Sequence, residues 1–391
     1  MNRFISYVAA AAAVTIFLSA MVVVDMVSVR QYQPIGIPIA SSTLSVTSGF
    51  FWPTINLPNL ETATNVPVAS SSQTSEPAAL KKVMPPVKRG IPVPVPVVAP
   101  VTALTQPVPR PAIEQNTELN VAASTLRDAL VNIICYVPAG SGLHSISGSG
   151  IIIDPKGIIL TNAHIAQYFL LKDRGVSCTI RTGSPAADRY TAALMYIPTT
   201  WLQANSRVLT QTNPSGTGEY DFALLAIIKS ATTSALPSSF PSIPLATAPP
   251  PSGTPIIIAS YGAQFLESSQ VQFSLFPTIV FGSVKDVFTF ASTTIDVLAL
   301  GGSAAAQEGS SGGGVADASG ELVGTITTST TNGTTDTRKL DAITASYIRW
   351  EYASETGQTL DSLLAQPVAV SIADFALQLP TLESIITTQL P

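Results

Sequence analysis

The chain has 391 residues, 11% of them charged, with a formal net charge of −5, two histidines and two cysteines. Charge this sparse and acidic, against about 25% charged residues in ordinary globular chains, argues against a nucleic-acid surface. Two cysteines and two histidines without paired spacing give no metal site, and no motif calls for a cofactor.

In chain order, the first element suits a membrane. Residues 4–24 carry no charge, and at about 1.5 Å per residue they are long enough to cross a hydrocarbon core of roughly 30 Å. The segment is a transmembrane helix or a signal peptide. Leu18-Ser19-Ala20 makes a poor cleavage site and Val22-Val23-Val24 continues the apolar run, so residues 1–30 read as an uncleaved anchor. Arg3 before the span and Asp25 after it orient the rest of the chain to the extracytoplasmic side of the cell membrane, as a single-pass protein. Residues 31–120 are rich in serine and threonine and then carry closely spaced prolines between positions 85 and 111. Proline lacks an amide donor and favours polyproline II, which predicts a disordered, semi-rigid linker.

The folded domain is expected over residues 121–355. Strand-like runs stand at 131–137, 151–153, 157–161, 176–181, 190–196 and 222–228, then at 255–261, 270–275, 282–290, 294–298 and 321–328. Asn332-Gly333 marks a hairpin after the last of these, and 345–353 reads as a short helix. Residues 356–391 form a C-terminal tail, in which 372–379 is apolar enough to dock on the domain or on a neighbour.

Three blocks in this region carry chemistry. Gly309-Ser310-Ser311-Gly312-Gly313-Gly314 holds a serine in a glycine-rich turn, where an unhindered backbone lets the Gly309 and Ser311 amides converge on one point. Thr161-Asn162-Ala163-His164 places a histidine at the exit of a strand hairpin. A base for Ser311 must be His164 or His144, and His144 lies in a Gly/Ser-rich loop with no strand to position it. Asp221 precedes an apolar strand, where a carboxylate is either a turn-former or the buried orienter of an imidazole. Histidine, aspartate and serine in that order, each in a fitting context, argue for a serine peptidase.

These residues resemble a known family. Gly148-Ser149-Gly150-Ile151-Ile152-Ile153-Asp154-Pro155-Lys156-Gly157, Thr161-Asn162-Ala163-His164, Tyr220-Asp221-Phe222-Ala223-Leu224-Leu225 and Ala304-Ala305-Ala306-Gln307-Glu308-Gly309-Ser310-Ser311-Gly312-Gly313 are similar to segments of trypsin-fold serine peptidases, and within them of the HtrA (Deg) type. The resemblance spans roughly residues 125–352. It implies an all-β fold of two six-stranded antiparallel β-barrels with a short C-terminal helix. It also implies His164 as general base, Asp221 as its orienter, Ser311 as nucleophile, and the Gly309 and Ser311 amides as the oxyanion hole. Polypeptide substrates follow from it, and relatives of this type are often homo-oligomers.

Two departures from the family pattern bear on activation and control. Ser310 stands where secreted digestive relatives carry aspartate, so no ion pair with a freed N-terminal ammonium is expected here. About forty residues follow Trp350, too few for the PDZ domain usual in HtrA proteins. In the trypsin fold the first and fourth strands of the N-terminal barrel are neighbours, which implies a Cys135–Cys178 disulfide; two buried free thiols are the alternative. By the same resemblance Ala305 forms the base of the primary pocket, and Thr325, Ile326, Thr327 and Thr328 form the wall that pairs with the peptide main chain. A neutral base implies cleavage after small or medium apolar residues. An inactive trypsin-fold binding module and a stalked surface protein that recruits a partner are the competing functions.

Overall fold

The computed structural model describes residues 117–211, 216–290, 294–330 and 332–390. The expected anchor and most of the expected linker lie outside the described residues. Helix α1 (Thr117–Ala129) begins inside the stretch read as linker, with Glu118 in its first turn and Arg127 in its last, each complementing the helix dipole. It buries Ala122, Leu126 and Ala129 and leads directly into β1 (Leu130–Tyr136).

The first half of the domain is a closed six-stranded barrel. β2 (Ile146–Asp154) and β3 (Ile158–Thr161) form the hairpin seen in the sequence, and a single helical turn, α2 (Ala163–Ala166), follows at once. After a 3-10 segment (Gln167–Arg174) come β4 (Ser177–Thr182), β5 (Ala187–Tyr196), the short α3 (Thr199–Asn205) and β6 (Ala223–Ser230). Around the barrel the order is β1-β2-β3-β6-β5-β4. β1 and β4 are therefore antiparallel neighbours, with Cys135 opposite Cys178. The two are joined in a disulfide.

The second half departs from the expected closed six-stranded barrel. β7 (Pro255–Ser260), β8 (Thr278–Ser283), β9 (Asp286–Phe288), β10 (Val297–Ala299), β11 (Gly314–Asp317), β12 (Leu322–Ser329) and β13 (Leu340–Thr344) form one seven-stranded sheet in the order β8-β7-β11-β12-β13-β10-β9. Its end strands are consecutive in the chain, separated only by Val284 and Lys285. The run read as one strand over 282–290 breaks there because pairing changes sides: Val284 N donates to Thr254 O (3.0 Å), and Lys285 N to Ala299 O (2.8 Å). The backbone thus joins the two ends that hydrogen bonds do not. The expected strand at 270–275 is also overturned, since α4 (Ser268–Phe273) lies there. Glu267 and Gln270 form a reciprocal capping box at its start, and that local satisfaction of amide donors outweighs the apolar alternation.

The expected single C-terminal helix is α5 (Ala345–Thr356), whose N-cap Thr344 accepts from Tyr347 N. Three more follow where a tail was expected: α6 (Leu360–Ala365), α7 (Val368–Ala376) and α8 (Leu379–Thr387). They dock on the first barrel, α7 against β5 and α8 against α3, and bury Leu360, Phe375, Leu382 and Ile386. Lys156 closes the end of α6 by donating to the carbonyls of Leu364 and Gln366, which complements the negative end of the helix. Among the described residues no single helix is long and apolar enough to cross a membrane.

Candidate active site

β3 ends at Thr161, and the single turn of α2 places His164 in the cleft between the two sheets, only 1% exposed. Asp221 arrives from the loop before β6. Tyr220 adopts φ 58°, the one non-glycine residue with positive φ among the described residues. That left-handed turn is held by Tyr220 N donating to the Tyr347 hydroxyl (3.1 Å) and by Phe222 N donating to Tyr220 O (2.9 Å). The strain costs about 1 kcal/mol or more and is tolerated because it aims a buried carboxylate.

Asp221 is fully buried, and both of its carboxylate oxygens accept from named donors. Oδ1 accepts from the His164 backbone amide (3.0 Å), while Oδ2 lies 2.8 Å from His164 Nδ1 and 2.8 Å from Thr327 Oγ1. Asn162 Nδ2 donates to the Asp221 carbonyl (2.8 Å). A carboxylate accepts only, so Nδ1 carries the ring proton and a neutral imidazole has its lone pair on Nε2. That is the tautomer a general base requires.

Ser311 enters from the second sheet, 5% exposed. Its carbonyl accepts from Ser149 N on β2 (2.8 Å), and Gly312 N donates to Ile326 O on β12 (2.9 Å). The turn can only be glycine at 312: φ is 82°, and a Cβ there would lie 2.0 Å from Ser149 O and 2.5 Å from Thr161 Oγ1. The residue after Ser311 therefore packs against the end of the strand that delivers His164. One bonded path runs from Gly312 to Ile326, through neighbouring Thr327 to Asp221, and on to His164. Gly309, with φ 90°, turns beneath Tyr261 O, where a Cβ would lie only 2.6 Å away.

The expected pocket residues divide by their surroundings. Ala305 is completely buried, and beside it Ala306 O is held by Arg338 Nη1 (2.8 Å). Thr325 Oγ1 is committed to Gly313 O (3.0 Å) and Thr327 Oγ1 to Asp221, while Ile326 is buried. These side chains serve the interior. The main chain differs, because β12 pairs with β13 as far as Ser329 but with β11 only as far as Thr325. Beyond Ile326, the edge over 327–329 is thus without a strand partner on the β11 side. A separate cavity of about 380 Å³ lies between β5 and the C-terminal helices, lined by Tyr196, Glu355 and Phe375 among others and by no member of the triad.

Several contributors escaped the sequence reading. Thr327, expected in the wall that pairs with the peptide main chain, also donates from its hydroxyl to Asp221. Tyr347 braces the turn before Asp221, and Arg338 and Ser149 hold the loop before Ser311. Only Ser149 carries a visible signal, as a small polar residue between two glycines just before the apolar run 151–153.

No curated protein matches the chain in sequence. Among solved structures, the inactive form of an Rv3671c mutant from M. tuberculosis H37Rv aligns with TM-score 0.37 and 17% identity, covering 69% of this chain and 99% of that one. The active form of the Rv3671c protease from M. tuberculosis aligns with TM-score 0.39 and 17% identity, covering 66% and 96%. Residues 148–324, which contain His164, Asp221 and Ser311, match the trypsin-like peptidase domain family. That stretch runs from the strand carrying Ser149 into β12, and over it the chain is similar to proteins carrying a trypsin-like peptidase domain.

Proposed function

We propose that this chain is an active serine endopeptidase of HtrA type, working through an acyl-enzyme on Ser311. The observation that carries the reading is the buried Asp221 carboxylate 2.8 Å from His164 Nδ1, which sets the tautomer of the base. Neutral His164 takes the Ser311 hydroxyl proton through Nε2 as Oγ attacks the scissile carbonyl. The Gly309 and Ser311 amides stabilise the oxyanion. The imidazolium then protonates the departing amine, and water repeats the sequence in reverse to release the acid and restore Ser311. The substrate main chain would add to the open edge of β12 at 327–329. With Ala305 as a neutral floor, we take the preferred residue before the scissile bond to be small or medium and apolar.

The setting belongs to the same proposal. A Cys135–Cys178 disulfide suits an oxidising compartment, which supports an apolar N-terminal anchor holding the peptidase on the extracytoplasmic side of a membrane. The test of activity is a fluorophosphonate probe on the full chain: labelling of the wild type, lost in Ser311→Ala, is the expected result. A wild type that never labels and cleaves no peptide would mean an inactive module on the same fold.

A further inference from the structure

The turn that would bind the oxyanion is held by hydrogen bonds on three successive carbonyls. Glu308 O accepts from Ala263 N (2.7 Å), Gly309 O from Ser149 Oγ (2.8 Å) and Ser310 O from Gly313 N (2.9 Å). In a trans peptide the N–H points opposite to the C=O. Fixing Glu308 O therefore aims the Gly309 N–H, and fixing Ser310 O aims the Ser311 N–H. Rotation of the peptide plane between them would disturb both donors; its amide, Ser310 N, donates to Gln307 O (3.2 Å), and its carbonyl is held by the Ser149 side chain.

We propose that Ser149 is a positioning residue for the oxyanion hole, the centre of an uncharged latch that keeps the two amides in their binding orientation. The inference rests on the peptidase reading and deepens it. Ser149 is fully buried and every polar group it carries is engaged. Its Oγ accepts from Tyr261 N (2.8 Å), which leaves the hydroxyl proton for Gly309 O. Its amide donates to Ser311 O (2.8 Å), and its carbonyl accepts from Thr161 Oγ1 (2.7 Å). One residue of the first barrel so joins the second sheet, the nucleophile and the strand leading to His164. A second hydroxyl contact completes the latch, Ser260 Oγ donating to Ser310 Oγ (3.0 Å). Ser310 is neutral, so the turn is ordered by hydroxyls and amides without a charged partner for that position.

The test compares the wild-type full chain with Ser149→Ala and Ser149→Cys, the latter similar in size but a weak donor. Deleting an oxyanion donor outright costs about 10²–10³ in kcat, so loosening one should cost about 10–100-fold. We expect Ser149→Ala to lose that factor in kcat on a chromogenic peptide, with KM within about twofold. Affinity for a peptide boronate should fall by the same factor, with Ser149→Cys intermediate. A Ser149→Ala that folds, labels with fluorophosphonate and turns over within twofold of wild type would overturn the proposal. If Ser149→Ala does not fold, Ser149→Cys decides in the same way, reduced kcat supporting the latch and unchanged kcat refuting it. A wild type inert to both probe and peptide removes the peptidase reading itself, a result distinct from either.

Discussion

Thr327 Oγ1 stands 2.8 Å from Asp221 Oδ2, the oxygen that also faces His164 Nδ1 at 2.8 Å. The carboxylate that faces the His164 imidazole is itself held from the opposite sheet. Thr327→Val keeps the shape and removes the donor, leaving a buried acceptor short of a partner at a cost of about 1–3 kcal/mol. We expect kcat to fall about tenfold with little change in KM, since the imidazole is then held less rigidly. Thr327→Ser should retain most activity. Peptide kinetics with thermal melts of both variants test this, and a Thr327→Val enzyme as fast as wild type would show that Asp221 needs no second anchor.

The pattern of what was legible in the sequence follows from how local each signal is. His164, Asp221 and Ser311 each sit in a neighbourhood that announces its conformation: a hairpin exit, the mouth of an apolar strand, a glycine-rich turn. The pairing of Cys135 with Cys178 came through the fold resemblance, because strand adjacency is a property of the barrel and not of either cysteine's neighbours. Thr327 shows the limit. In a run of threonines nothing local says which hydroxyl meets a carboxylate 106 positions away. The break at Val284 and Lys285 was hidden for a related reason, since each donates to a different neighbouring strand and only the assembled sheet shows the change. At α4, Val271 and Phe273 alternate as in a strand, whereas the capping pair Glu267 and Gln270 decides the conformation.

Arg338 ties three loops together beside the expected primary pocket. It is 5% exposed, with Nη1 donating to Ala306 O (2.8 Å) and Gln264 Oε1 (2.6 Å), Nε donating to Gly333 O (3.1 Å), and the guanidinium over the Phe265 ring at 5.6 Å. Arg338→Met keeps the apolar stem and strands those acceptors. About 3 kcal/mol of stability should be lost, or roughly 6–12 °C in melting temperature for a domain of this size. Because Ala306 adjoins Ala305, KM should rise more than kcat falls. An unchanged KM would detach Arg338 from the pocket.

The Cys135–Cys178 bridge closes a sequence separation of 43 residues. By loop entropy alone it stabilises the folded state by about 4 kcal/mol. The double variant Cys135→Ser/Cys178→Ser should melt on the order of 10 °C lower. Its kcat at low temperature should stay within about twofold of wild type, since β1 and β4 carry none of the triad. Calorimetry with and without reductant tests the first point. Unchanged melting on reduction would mean that strand pairing alone fixes this edge of the barrel.

Stability should fall as pH rises through the weakly acidic range, because two carboxyls are harder to ionise in the folded state than in the unfolded one. Burial, then the nearby Glu355, Glu219 and Asp296, pushes Glu351 up from 4.5 to about 7. Burial pushes Asp341 up from 3.8 to about 6, partly offset by Lys339. Between each pair of values the native state keeps a proton that the unfolded chain has released, so folding is favoured at the acid end of the window and that advantage is lost as pH climbs through the folded value. Glu351→Gln replaces the carboxyl with a group that never ionises. Its melting temperature should match wild type near pH 4 and exceed it near pH 8, with the gap opening between about 4.5 and 7. Asp341→Asn should open its gap lower, between about 3.8 and 6. Melting curves at half-unit pH steps resolve the two, and variants whose profiles run parallel to wild type throughout would show that neither carboxyl ionises differently on folding.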